Sequence, residues 1–309
     1  MPTHLFPVVQ IRKGFWEIDE FEISSCFLIE GPERALLIDT GQGIGDLRTC
    51  VEMLTKKPVT VVLTHNHADH IGNAYQWDEV WIHPNDRPGL TKKDVQRAKN
   101  SAAKIAKRQK GCFDGVYKMF RLEPYDLNDV QPSEDKELVI HDLADGMEFD
   151  LGGGRIITCY ECFGHSKGEV VFLDNQERIL IAGDALNYNL GVSAVPVETT
   201  LRFLKRLQSM SDRYDAIYNN HHDMRAFGAP LDDDCLPTAI AILEDVMDGH
   251  IVPVQIPSFW GQDLPLSAQD LENNKHPKMG DGRPSNRTTL RRGRNFVGID
   301  VNNIYEEKK

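Results

Sequence analysis

Residues 61–73 read VVLTHNHADHIGN: a β-branched, strand-sized run that breaks into a loop carrying His65, His67, Asp69 and His70 within six positions. A tight turn at a strand end can aim several side chains into one small volume. Neutral imidazoles and a carboxylate are good donors for zinc, and for iron or manganese under other conditions. With eleven histidines in 309 residues, these four positions would be filled this way by chance in about one such sequence in a thousand. The clustering therefore points to a metal centre.

Working outward, further candidates follow other expected strands. Gly164-His165-Ser166 comes after the run 156–160, Gly183-Asp184 after 179–182, and His221 after 216–218. Upstream, Ala35 to Ile38 forms a compact apolar run that ends in Asp39, within LLIDTG. Strand ends gathered along one edge of a sheet can build a shared site. The remaining histidines His4, His83, His141, His250 and His276 fall outside the pattern and are expected to be ordinary core or surface residues.

The alternation of apolar and polar residues predicts strands at 21–29, 35–38, 59–63, 81–83, 136–140, 147–151, 155–160, 170–173 and 178–182, and helices over 46–55, 198–210 and 237–247. The expected class is α/β, with a catalytic domain over 1–249. Residues 86–135 read as a helical insertion whose basic face, TKKDVQRAKNSAAKIAKRQKG, is more simply a solvated face than a lid. Residues 250–309, rich in proline, asparagine and glycine, read as an extension packing on the same domain. It carries a basic patch (Arg287, Arg291, Arg292, Arg294) and is expected to end in an edge strand at 296–301.

A 309-residue chain with 40% hydrophobic and 27% charged residues has the composition of a globular protein. The net charge of -12 disfavours nucleic acid or an anionic membrane as partner, because both repel it at long range. No apolar run approaches the roughly 20 residues of a membrane-spanning helix, and no export signal is visible, so a cytoplasmic location is expected. Six cysteines (Cys26, Cys50, Cys112, Cys159, Cys162, Cys235) in so long a chain read as free thiols. The Cys159-x-x-Cys162 pair reads as packing rather than redox chemistry.

Taken in order, H-x-H-x-D-H at 65–70, the Gly164-His165 pair, the Gly183-Asp184 pair and a late histidine resemble the metallo-β-lactamase superfamily, from about Phe21 to His222. The resemblance implies an αβ/βα four-layer sandwich with a dinuclear site at one edge, loaded with two Zn2+ or with iron or manganese. It implies that His65, His67 and His165 hold one ion, that Asp69, His70 and His221 hold the other, and that Asp184 bridges them. Asp39 matches an early family aspartate and would orient a histidine ligand. His221 is preferred as the last ligand, with His222 as its alternative.

The implied activity is hydrolysis of an ester, lactone or thioester of a small molecule by a metal-bridging hydroxide, with Asp69 orienting the nucleophile or accepting its proton. Tyr188, four residues after Asp184, is a candidate hydrogen-bond donor to the oxyanion or the leaving group, with a packing or rim role as the alternative of equal standing. Phe113, Tyr117 and Trp260 are candidate pocket residues. Lactonases are the nearest analogy, though the segment after Asp184 differs; glyoxalase II-like thioesterases are similar in the metal residues, but the late segment NNHHDMRAFG does not show their substrate-binding pattern. A β-lactam hydrolase is disfavoured by the aspartate at 184, and a mononuclear iron persulfide dioxygenase is the competing class. The expected partner is a small-molecule substrate, with no nucleic acid and no membrane; a homodimer is left open.

Overall fold

The computed structural model describes residues 6–20, 23–101, 137–221, 225–254 and 287–307. A seven-stranded sheet has the order β1-β2-β3-β4-β5-β6-β7: β1 (Val8–Arg12), β2 (Phe15–Asp19), β3 (Ser25–Glu30), β4 (Ala35–Ile38), β5 (Val59–Val62), β6 (Glu79–Ile82) and β7 (Val139–Asp142). It is antiparallel through β4 and parallel beyond it. A five-stranded sheet has the order β13-β11-β10-β9-β8: β8 (Glu148–Asp150), β9 (Ile156–Glu161), β10 (Val170–Asp174), β11 (Ile179–Ile181) and β13 (Ala216–Tyr218). A small third sheet joins β12 (Asn189–Val192), β15 (Asn295–Asp300) and β14 (Arg287–Arg292), with β15 central.

The two large sheets face each other through central strands, β3, β4, β9 and β10, that are buried on both faces and accordingly rich in apolar residues. In β4, Leu36 and Ile38 point into the space between the sheets. They meet Phe172 and Val170 of β10 there, together with Phe15, Phe27, Ile157, Ile181 and Tyr218. The alternate residues Ala35 and Leu37 point outward, onto Leu47 and Val51 of α1 (Leu47–Leu54) and Ile71 of α2 (Ala68–Ile71). A further helix, α3, is described over residues 92–101, and its Val95 joins the same outer core.

On the far side, Val171 and Leu173 of β10 pack under Leu201, Leu204 and Leu207 of α4 (Val197–Ser209) and Leu236, Ile240 and Leu243 of α5 (Cys235–Met247). The order helix, sheet, sheet, helix is the expected αβ/βα four-layer sandwich.

A buried ion pair ties the layers at the end of β10. Arg155 binds the Asp174 carboxylate through Nη2 and, at 3.1 Å, through Nε; its Nη1 donates to the carbonyls of Glu30 (2.9 Å) and Gly14 (3.3 Å). Among the described residues Cys26, Cys50, Cys159, Cys162 and Cys235 are free, and burial pushes the Cys159 and Cys162 thiols far up, so neither is poised for redox exchange.

The structure departs from the sequence reading in the N-terminal strand pair and at the C-terminus. β1 and β2 were not expected, because Glu17 and Asp19 interrupt the apolar pattern; both are buried. The final strand is not an edge. β15 lies between β12 and β14, and its Val297 and Ile299 complete the core under α5. The basic patch is also not free: Arg292 pairs with Asp245 and Arg294 with Asp232, while Arg291 lies over the Phe296 ring at 5.0 Å. Most of the helical insertion, with Phe113 and Tyr117, lies outside the described residues, as do Trp260 and His222. No helix among the described residues is long and apolar enough to cross a membrane.

Candidate metal centre

The parallel strands β4 and β5 deliver Asp39 and His65 to one edge of the first sheet, and β11 and β13 deliver Asp184 and His221 to the matching edge of the second. After β5 the chain extends through His67, which has no helical backbone (φ -70, ψ 155), and then makes the single turn α2 that carries Asp69 and His70. Gly183 takes a left-handed φ of 54°, and a Cβ there would fall 2.8 Å from Thr64 Cβ. Only glycine lets the two loops close and present Asp184 to the histidines.

All seven candidates come together. Three overlapping groups have their donor atoms within 4.8 Å of one another: His65, His67 and His165; His65, His70 and Asp184; Asp69, His70 and His221. Asp184 reaches both flanking groups, with Oδ2 3.4 Å from His165 Nε2 and 3.7 Å from His70 Nε2, and Oδ1 3.4 Å from His221 Nε2. Asp69 Oδ2 lies 3.3 Å from His221 Nε2. His67 Nδ1 and His165 Nε2 face each other at 2.8 Å.

The surrounding residues turn specific nitrogens toward this volume. Asp39 accepts from the Thr64 N–H (2.7 Å), the Thr64 hydroxyl (2.8 Å), the Asn220 amide (2.9 Å) and His70 Nδ1 (2.7 Å). His70 therefore has Nε2 left over, and that atom is buried without a partner. His65 Nδ1 is occupied by the Thr64 hydroxyl at 3.0 Å, and its Nε2 is likewise unpartnered. Asp184 Oδ1 is also without a hydrogen bond. Buried polar atoms left unpaired cost stability, so orphans converging on one volume fit a cation that would satisfy them. The donor set, imidazole nitrogens and carboxylate oxygens, suits zinc, iron or manganese.

Protonation divides the cluster. Burial and neighbouring imidazoles lower the pKa of His65 and His165, and burial together with repulsion from His165 and His70 pushes His67 down to about 4. These rings are neutral donors at neutral pH. Burial opposes the charged form of His70 and His221 as well, yet Asp69, Asp39 and Asp184 around His70, and Asp184 and Asp69 around His221, lift both well above the ordinary histidine value. Burial would raise Asp184, but His221 and His70 overcome it and hold it ionised.

Three contributors escaped the sequence reading. Glu169 is buried; its Oε1 accepts the Asp184 N–H at 2.8 Å and lies 3.8 Å from His65 Nδ1. A charged residue opening the wholly buried strand β10 was the available signal. Asn220 donates both to Asp39 and to the Ser25 carbonyl (2.7 Å), and Ser24 donates its hydroxyl to the Asp69 carbonyl (2.6 Å); neither has a local signature.

Tyr188 takes up the packing alternative. Its side chain is buried in the helix-facing core, its hydroxyl accepts the Asp232 N–H at 2.7 Å, and Arg294 covers its ring at 4.4 Å. It is a packing residue, carried away from the cluster by the turn after Asp184.

A fold of two sheets between helices with histidines and aspartates at one edge defines a class, and comparison with known proteins places the chain in it. The family model described as the metallo-beta-lactamase superfamily matches residues 19–218, and the chain belongs to that superfamily. The human protein named acyl-coenzyme A thioesterase MBLAC2 is 28% identical over 190 residues, which make up 56% of this chain and 63% of that protein. The chain thus aligns with less than two thirds of that relative's length. An uncharacterized protein of Mycobacterium tuberculosis is 31% identical over 175 residues, covering 52% of this chain and 67% of its own length. Among solved structures, a metallo-beta-lactamase from Pontibacter korlensis superposes with a TM-score of 0.52 at 19% identity, over 78% of this chain and all of that one; this likeness concerns the fold.

Proposed function

We propose that the chain is a dinuclear metal-dependent hydrolase of small-molecule thioesters, with zinc as the metal. The observation that carries the reading is the position of Asp184, whose two oxygens reach toward His165 on one side and His70 and His221 on the other. His65, His67 and His165 would hold one ion and Asp69, His70 and His221 the other, with Asp184 shared. The choice of thioesters over lactones and other esters is supported by the 28% identity to a relative named as an acyl-coenzyme A thioesterase.

Two bound divalent cations supply Lewis acidity and a water of lowered pKa near neutral pH. The neutral rings of His65, His67 and His165 offer lone pairs without first losing protons. Asp39 fixes the His70 tautomer through Nδ1 and so directs Nε2 inward. Asp69 is the more open carboxylate of the cluster, with 28% of its side chain exposed. Burial alone would raise its pKa, yet His70 and His221 hold it ionised. It therefore accepts a hydrogen bond from an attacking water and orients it toward the carbonyl, rather than storing the proton.

The test is elemental analysis of purified protein paired with hydrolysis of acyl-coenzyme A thioesters, lactones and a chromogenic β-lactam. Two zinc ions per chain with preference for thioesters is the expected result. A single iron with persulfide-dependent oxygen consumption, and no hydrolysis, would overturn the reading.

A further inference from the structure

Asp86 lies in the segment after β6, outside the seven proposed ligands, and is only 3% exposed. Its contacts reach both loops that carry the His65, His67 and His165 group. The carboxylate accepts the Ser166 hydroxyl at 2.5 Å through Oδ2 and the Gly168 N–H at 3.0 Å through Oδ1. Its main-chain carbonyl accepts the Asn66 side-chain amide at 2.9 Å. Ser166 adjoins His165, and Asn66 lies between His65 and His67. The neighbouring Asn85 donates its amide to the Lys167 carbonyl at 3.0 Å. A Cβ on Gly168 would come within 2.9 Å of Asp86 N and 3.0 Å of its Cγ, so a side chain there would force the clasp open.

The two loops belong to different sheets. A main-chain bond from the Val170 N–H to the Thr64 carbonyl, 3.0 Å, joins them beside His65, and Asp86 adds a clasp around the residues flanking His165. The other donor group is held differently: His70 is oriented by Asp39, and Asn220, adjoining His221, by bonds to Asp39 and Ser25.

We infer that Asp86 is a positioning residue that sets His165 against His65 and His67, so that its loss weakens one metal position and spares the other. This rests on the dinuclear reading above. A donor displaced by a fraction of an ångström no longer meets the ion at bonding distance, and removal of outer partners of metal ligands typically costs about 10- to 100-fold in affinity.

The experiment titrates metal-free protein with zinc in competition with a chromophoric chelator, alongside thermal melts, for the wild type, Asp86→Ala, Asp86→Asn and Ser166→Ala. The wild type is expected to take up two ions. Asp86→Ala should bind one with wild-type affinity and the other about 10- to 100-fold more weakly. Asp86→Asn should recover part of the loss, because its amide oxygen still accepts the Gly168 N–H. Ser166→Ala removes a single hydroxyl; it should weaken the same position by less, and it carries the test if Asp86→Ala does not fold. In a His165→Ala background, Asp86→Ala should not alter the remaining site. Unchanged affinities with only a lower melting temperature, or equal weakening of both positions, overturns the inference. A wild type that binds fewer than two ions overturns the dinuclear reading itself, and that failure is recognisable because it occurs without any substitution.

Discussion

Asp39 Oδ2 lies 2.7 Å from His70 Nδ1, and Asp39 adopts a left-handed backbone, φ 65°, to place it there. Asparagine tolerates this conformation nearly as well as aspartate, whereas alanine does not. Asp39→Asn therefore isolates the charge from the backbone. We expect about 10- to 100-fold weaker metal binding or lower kcat/KM for this variant, together with a lower melting temperature, because its amide nitrogen meets buried donors that the carboxylate accepted. Wild-type metal affinity and kcat/KM in Asp39→Asn would show that the carboxylate does not orient His70.

The division of protonation states has a consequence for metal uptake. His70 and His221 are raised above the ordinary histidine value, so at pH 7 in the metal-free chain they carry protons that a cation must displace. His65, His67 and His165 are lowered and have none to release. Uptake at the Asp69, His70 and His221 group should release protons, and its affinity should rise with pH until those rings are neutral. Affinity at the other group should be nearly flat around neutrality. Calorimetry of zinc binding in buffers of different ionisation enthalpy measures this. His165→Ala should keep the proton release and His221→Ala should lose most of it; the reverse pattern would refute the assignment.

The residues of these two groups were legible as candidates because they are crowded at 65–70 or stand directly after apolar strands, while their division into two groups came from the family resemblance. What surrounds them was not legible. Glu17 looks like a break in an apolar run, yet it is buried because it pairs with Arg225, 208 positions away. Asp86 and Glu169 are single carboxylates whose partners also come from other loops. For Tyr188 nearness in sequence to Asp184 left a site role and a packing role both open, and its place is in the helix-facing core. The last strand was anticipated but not its central place, because Asn189–Val192 interrupts its apolar residues with glycine and did not read as a strand that would pair with it.

The buried pair of Arg155 and Asp174 sits at the strand ends opposite the metal cluster, since Asp184 follows β11 and Asp174 precedes it across the hairpin. Its contribution should be to stability alone. Arg155→Ala leaves a buried carboxylate uncompensated and should cost about 3–5 kcal/mol, while replacing both residues by apolar side chains of similar volume should cost much less. Denaturant unfolding measures both. A single variant as stable as the double would show that the charge is already solvated.

Asp184 lies between the two outer donor groups, with its oxygens turned toward His165 on one side and His221 on the other. His67 meets only members of its own group, His165 at 2.8 Å and the His65 ring at 4.6 Å between centroids, so His67→Ala should lower zinc content toward one ion per chain. Asp184 approaches His165, His70 and His221 together. Asp184→Ala removes the carboxylate from both positions and leaves the orphaned nitrogens of His65 and His70 with less charge to attract a cation. Both ions should be lost on dialysis and thioester hydrolysis should fall with them. Asp184→Asn, nearly isosteric but neutral, should lose metal to a similar degree if charge matters more than shape. Elemental analysis after dialysis against a weak chelator reads all three variants. Normal stoichiometry in Asp184→Ala would exclude the bridging role and leave two independent sites in its place.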